Sequence, residues 1–360
     1  LGAWLDSTPV FFVSGQVKTA DLKANTGLRM LGVQEADIVS IVSSITKRAV
    51  TLLDPQSVGE VFDELEYAAL SGRRGPVWLD VPLDVQAMEI DPFNLRRWVP
   101  PSTAESNNFT SDVHQALDLL RKAKRPLIIC GSGVRMAGAA NGFRKLISRL
   151  GVPVQTTWMG MDLIDDDDPL FGGRPGSIAP RWANFALQSA DFLLVLGARL
   201  DMALTAYDHE NFAPNAKKIV VDIDPAEIAK LRMDIALPVV GDVGAFIAQM
   251  SDLACSEALP DFSAWQKVIA RWRTNYPLLL PEHADDSNGV SMYYFTHQLS
   301  DALSPEDIIA PGSSGFASEL FLLNFKLKYG QRCFHNRGTG SMGFGVPSAI
   351  GACLASGRRR

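Results

Sequence analysis

Pro126-Leu-Ile-Ile-Cys130 runs straight into Gly131-Ser-Gly133. Five apolar residues in a row, stopped by glycine, fit a strand buried on both faces, as in a parallel sheet covered by helices. Upstream, Val113, Ala116, Leu117 and Leu120 lie at helical spacing, and a further helix is expected after the glycines. The same alternation recurs at Val152–Thr156, Phe192–Leu196 and Ile219–Ile223, with helices between them. These residues predict a doubly wound α/β unit closing near Cys255.

The pattern extends in both directions. Before it, Pro9-Val-Phe-Phe-Val13 reads as a buried strand ending at Ser14-Gly15. A helix from Asp54 to Ser71 and a strand over Gly75–Pro82 follow. After it, an amphipathic helix is expected at Trp265–Arg273, then a helix at Met292–Leu303, a strand at Asp307–Ala310 and an apolar helix at Pro347–Ala355. The rhythm lapses twice. Residues 86–108 carry Pro92, Pro100 and Pro101 and a polar stretch, and residues 259–289 are similarly irregular. The expected division is 1–90, a linker at 91–110, a central domain at 111–256, a linker at 257–290, and an incomplete third unit at 291–360.

Composition narrows the function. A net charge of -6 with no basic stripe argues against a nucleic-acid partner. Arg358-Arg359-Arg360 reads as a solvated end. No apolar run approaches the ~20 residues that span a bilayer. Leu1-Gly-Ala-Trp4 has no signal-peptide pattern and no initiator Met, so the chain is expected to start inside a longer protein. Cys130, Cys255, Cys333 and Cys353 form no C-x-x-C pair and are expected to be buried free thiols in a reducing cytoplasm. No zinc motif or serine-hydrolase elbow is present, and no metal ligand is assigned. Asp165–Asp168 reads as a solvated loop, and Trp158, Trp182 and Trp265 as core or interface anchors.

Three glycine-rich loops follow strands: Gly131-Ser-Gly133, Gly312-Ser-Ser-Gly315, and Arg337-Gly-Thr-Gly-Ser-Met-Gly-Phe-Gly345. The first fits a tight turn or a phosphate cradle. In the second, backbone amides with the Ser313 and Ser314 hydroxyls at a helix start suit an anion. The third combines close backbone approach with one large side chain, Met342; the alternative is a turn packed on a core helix.

Several ordered stretches resemble the acetolactate synthase branch of the thiamine diphosphate enzymes, over essentially the whole chain. Ser14-Gly-Gln-Val17, Val33-Gln-Glu-Ala-Asp37, Thr46-Lys47 and Gly75–Pro82 resemble the second half of a pyrimidine-binding domain. Thr156-Thr-Trp-Met-Gly160, Gly197-Ala-Arg199 and Val221–Ile228 resemble a central domain. Gly340-Ser-Met-Gly-Phe-Gly345 resembles the cofactor loop of a diphosphate-binding domain.

The resemblance implies a 2-oxo acid carboligase or decarboxylase. A pyruvate-type donor would lose CO₂ on the thiamine ylid and be transferred to an acceptor, as in branched-chain amino acid biosynthesis. It implies thiamine diphosphate with Mg²⁺, and a homodimer or homotetramer with the cofactor between subunits. Met342 matches the residue that holds thiamine bent, and the Gly340 and Met342 backbone, beside Ser341, would bind the aminopyrimidine. Gly312, Ser313, Ser314 and Gly315 align with the diphosphate loop, where Gly315-Phe316 replaces the common Gln-His. Gln16 matches a glutamine reaching the active site and Lys47 a lysine near the cleft.

For a central-domain FAD the matching positions are Gly131, Gly133, Met159, Gly160, Gly197, Arg199, Asp222, Asp224, Gly241 and Asp242. Pro175-Gly-Ser-Ile-Ala179 lacks the family's histidine, and the alternative is a dinucleotide fold without ligand. The family's catalytic glutamate would precede Leu1 and its metal motif would follow Ala355, so this polypeptide alone is expected to be inactive. Leu31-Gly-Val-Gln-Glu35 lacks the aromatic residue of acetolactate synthases and resembles a surface-sugar biosynthesis subgroup. Two other readings stay open: a different substrate, and a noncatalytic nucleotide-binding or assembly protein.

Overall fold

The computed structural model describes residues 1–24, 26–101, 108–312 and 315–358, without the side chains of residues 316 and 317. Ser313 and Ser314 therefore lie outside the described residues. The chain divides into two compact units, Leu1–Glu105 with Arg337–Thr339, and Ser106–Asn336 with Gly340–Arg360. All sheets are parallel, so the α/β reading holds.

The first unit has β1 (Phe11–Gln16), β2 (Arg48–Thr51) and β3 (Val77–Pro82), in the order β1-β3-β2. β1 is not buried as its apolar run suggests, since Phe12 and Val13 are exposed at the edge of the sheet, and it does not end at Ser14-Gly15. Ser14, Gly15 and Gln16 continue the ladder against Asp80, Val81 and Pro82. A period-based reading stops where apolar residues stop, whereas the ladder needs only backbone partners. The helix Val58–Leu70 packs on this sheet, stacking Phe62 on Phe11 at 5.1 Å. The unit's core holds Leu52, Leu65, Ala69, Val77, Leu79 and Val85.

The second unit is built on β4 (Pro126–Cys130), β5 (Val154–Thr156), β6 (Phe192–Leu196), β7 (Lys217–Asp222) and β8 (Leu237–Val240), in the order β5-β4-β6-β7-β8. Chain order and spatial order reverse at β4, the switch point of a doubly wound sheet. β4 and β6 are buried at every residue, which explains their unbroken apolar runs. Ala140–Leu150 packs on Val243–Cys255, and Arg181–Ser189 on Ser263–Asn275. Trp182 and Trp265 are buried, and the Trp265 indole donates to the Pro126 carbonyl at 3.0 Å.

The same unit carries β9 (Ile308–Ile309) paired with β10 (Arg332–Cys333). Around them Met161, Phe321, Leu322, Phe325 and Leu327 form a second core, against which Trp158 packs. The helix Gly345–Ala355 starts two residues before Pro347, which sits in a first turn where no amide donor is needed. Among the described residues no helix is long and apolar enough to cross a membrane.

Candidate functional site

The glycines after β4 and β6 hold two loops together. Gly131 N donates to Leu196 O at 3.0 Å and Gly133 N to Gly197 O at 3.1 Å. A Cβ on Gly131 would stand 2.3 Å from Gly197 O, and one on Gly133 would stand 2.8 Å from Gly197 Cα. Gly160 closes on Gly131 from the next loop, with 3.0 Å between an added Cβ and the Gly131 carbonyl carbon. Close backbone packing explains these residues fully, and the Gly131 and Gly133 amides point to protein carbonyls. Arg199 follows on the same loop, partly buried.

The expected aspartates also have places in the fold. Asp222 Oδ1 accepts the Asp224 amide at 2.9 Å. Asp224 caps the helix Pro225–Ala229 through Ala226 N, and Asp242 caps Val243–Cys255 through Ala245 N, both at 2.9 Å. Each satisfies an amide that a helix start leaves without a partner.

The third glycine loop differs. Gly340 and Gly343 adopt left-handed backbone, at φ 57° and 83°, and between them Met342 is 89% exposed. Ser341 Oγ accepts from Asn336 Nδ2 at 3.1 Å. A Cβ on Gly345 would lie 3.4 Å from Gly312 Cα, while Gly312 itself faces open space. Gly315, at φ 71°, opens the helix Gly315–Asn324 with nothing against it. Two of the three glycine loops read from the sequence thus approach each other at Gly312 and Gly345, and Gly312, Gly315 and Gly343 have no protein atom where a side chain would start.

In the first unit, Gln16 ends β1. Its Nε2 donates to Ala36 O at 2.7 Å and to Asp80 Oδ2 at 3.1 Å, and its Oε1 accepts Val17 N at 3.0 Å. Lys47 is committed to the fold: Nζ donates to Ser71 O at 2.6 Å, at the C-terminal end of Val58–Leu70. Partial burial lowers its pKa from the ordinary lysine value.

Sequence patterning missed Asp80, 1% exposed at the centre of the sheet. It also missed Asp162, whose buried carboxylate takes Arg135 Nε at 3.1 Å and Arg332 Nε at 2.7 Å. Reading Asp165–Asp168 as solvated fails at Asp166, which is buried against Arg174. Burial, and then Asp168, raise the Asp165 pKa. The cysteine expectation holds for Cys130 and Cys333 but fails for Cys255 and Cys353, which are exposed. Cys353 lies on a helix that buries none of its residues.

The central-domain model of the thiamine pyrophosphate enzymes matches residues 113–250. The chain is 32% identical over 363 residues to the acetolactate synthase large subunit of Porphyra purpurea, covering 98% of this chain and 58% of that one. The probable acetolactate synthase large subunit of Methanocaldococcus jannaschii is 32% identical over 98% of this chain and 59% of its own. Acetolactate synthase 1, chloroplastic, of Oryza sativa subsp. japonica is 31% identical, with 98% and 54% covered. The chain spans about 58% of the length of the first of these relatives.

Proposed function

We propose that this chain is part of an acetolactate synthase-like enzyme that uses thiamine diphosphate to decarboxylate a pyruvate-type 2-oxo acid and transfer the remaining acyl unit to an acceptor. The observation that carries this reading is Met342, 89% exposed on a loop bent by two left-handed glycines, with Gly312 open beside Gly345. A bulky apolar side chain held clear of its own unit has no folding role, and a cofactor contact gives it one. The residues fit thiamine diphosphate. Met342 would support the bent cofactor, the Gly340 and Met342 backbone and Ser341 its pyrimidine, Gly312 to Gly315 its diphosphate, and Gln16 the reacting groups. When bound, the cofactor supplies the electron sink for loss of CO₂.

In this reading residues 1–90 belong to a pyrimidine-binding domain, 111–256 to the central domain and 291–360 to a diphosphate-binding domain. The protein is a cytoplasmic homodimer or homotetramer. Mg²⁺ accompanies the diphosphate, and no residue of this chain is assigned to it. The central domain is a weaker fit to FAD. The Gly131 and Gly133 amides are engaged by Leu196 and Gly197, and Asp224 and Asp242 cap helices. These partners favour a central domain without flavin, and the visible absorbance of purified protein decides it. The main reading is tested by titration calorimetry of thiamine diphosphate with Mg²⁺ into the full-length protein and this chain. Saturable binding to the full-length protein is expected; its failure there overturns the reading.

A further inference from the structure

We propose that Asp80 is a positioning residue for Gln16, locking the carboxamide so that Gln16 meets a ligand only as a hydrogen-bond acceptor, through Oε1. The proposal rests on the reading above for the nature of the ligand, but its geometry stands on the first unit alone.

Parallel register sets Ser14 beside Asp80 on the central strand, two residues before Gln16. The Asp80 carboxylate is buried and fully partnered by donors. Oδ1 accepts Ser14 Oγ at 2.7 Å, and Oδ2 accepts Gln16 Nε2 at 3.1 Å with Thr51 Oγ1 at 3.5 Å. Ser14 Oγ accepts the Trp78 indole N–H at 2.8 Å, so its one proton goes to Asp80 and the direction of the chain of bonds is fixed.

Both Gln16 N–H groups then face acceptors, Asp80 Oδ2 and the Ala36 carbonyl, while Oε1 faces the Val17 N–H. Turning the carboxamide over would set its oxygen against a carboxylate and a carbonyl, and its NH₂ against an amide donor. Three bonds would be replaced by three repulsions. One lone pair on Oε1 is left, so the group that Gln16 recognises must carry an N–H or O–H, such as an amino or hydroxyl group. A carbonyl or carboxylate oxygen of a substrate finds no donor there. The Ala36 bond also ties the segment after Val33 to β1.

The test uses isotope-labelled full-length protein and NMR, with the Gln16 side-chain amide assigned by its loss in Gln16→Ala. Asp80→Ala is expected to speed exchange of those protons about tenfold, one hydrogen bond's worth. Unchanged exchange overturns the proposal. Should Asp80→Ala not fold, Gln16→Glu gives the same reading. A carboxylate at that position faces Asp80 and the Ala36 carbonyl, so it titrates above the ordinary glutamate value; an unshifted titration overturns the proposal. Thiamine diphosphate with Mg²⁺ is then titrated into the unmodified protein. Failure to bind overturns the functional reading and leaves the exchange result to judge Asp80. Where it binds, Gln16→Ala and Asp80→Ala weaken binding by similar factors and the double variant weakens it no further. Losses that multiply overturn the coupling.

Discussion

The Arg174 guanidinium grips the Asp166 carboxylate in a two-pronged pair, with Nη1 to Oδ1 at 3.1 Å and the side chains only 4% and 5% exposed. Asp166 Oδ2 also takes the Leu327 amide at 3.0 Å, and the Asp166 backbone N–H donates to the Leu327 carbonyl. The loop after β5 is thereby fastened to the segment before β10. Arg174→Ala leaves a buried carboxylate with one backbone donor, which should cost about 3–5 kcal/mol. Denaturant unfolding measures it, and a loss below about 1 kcal/mol would show that water replaces the arginine. Replacing both partners by Leu and Met should recover much of the loss, because the desolvation penalty leaves with the charges.

Glycines that build the fold separate from glycines that face open space. Gly131→Ala drives a methyl to 2.3 Å from Gly197 O, where backbone cannot yield cheaply, so a loss of about 1–3 kcal/mol is expected. Gly312→Ala meets nothing within 4 Å and should change stability by less than about 0.5 kcal/mol. Its effect belongs to binding: thiamine diphosphate affinity of the full-length protein should fall while the melting temperature holds. Equal destabilisation by both substitutions would remove the distinction.

β4 and β6 were legible in the sequence because strands buried on both faces leave unbroken apolar runs, whereas the short β2, β8 and β10 are not buried on both faces and were not read. The end of β1 was not, because Ser14 and Gln16 join the ladder by backbone and turn their polar side chains to Asp80. Asp80 and Asp166 were invisible for a related reason. A buried carboxylate is defined by its donors, and these come from residues 66 positions away in one case and 161 in another. Glycine motifs marked the turns, but spacing could not tell a loop whose amides bind carbonyls from one whose glycines meet no neighbour. Gly131 and Gly343 look alike until their neighbours are known.

Thiol reactivity should divide by position. Cys130 and Cys333 are buried, and desolvation followed by the nearby Asp162 charge raises both thiols, Cys333 to about 12. Cys255 and Cys353 are exposed. A thiol-disulfide reagent at mildly alkaline pH should therefore modify two cysteines quickly in the native protein and all four after denaturation. Fast modification of three or four in the native state would show that a buried thiol is reachable.

Met342→Ala tests the observation on which the function rests. The side chain is 89% exposed, so its truncation removes almost no packing within its own unit, and unfolding free energy should move by less than about 0.5 kcal/mol. If Met342 supports a bent cofactor, the same change should weaken thiamine diphosphate binding in the full-length protein and lower kcat with little effect on the substrate's KM. Met342→Leu keeps the bulk and should retain most of both. A variant that loses stability but binds normally would instead mark Met342 as a packing residue covered by another part of the assembly. The two results are read on the same preparation, from its melting curve and its titration, and they cannot both be obtained.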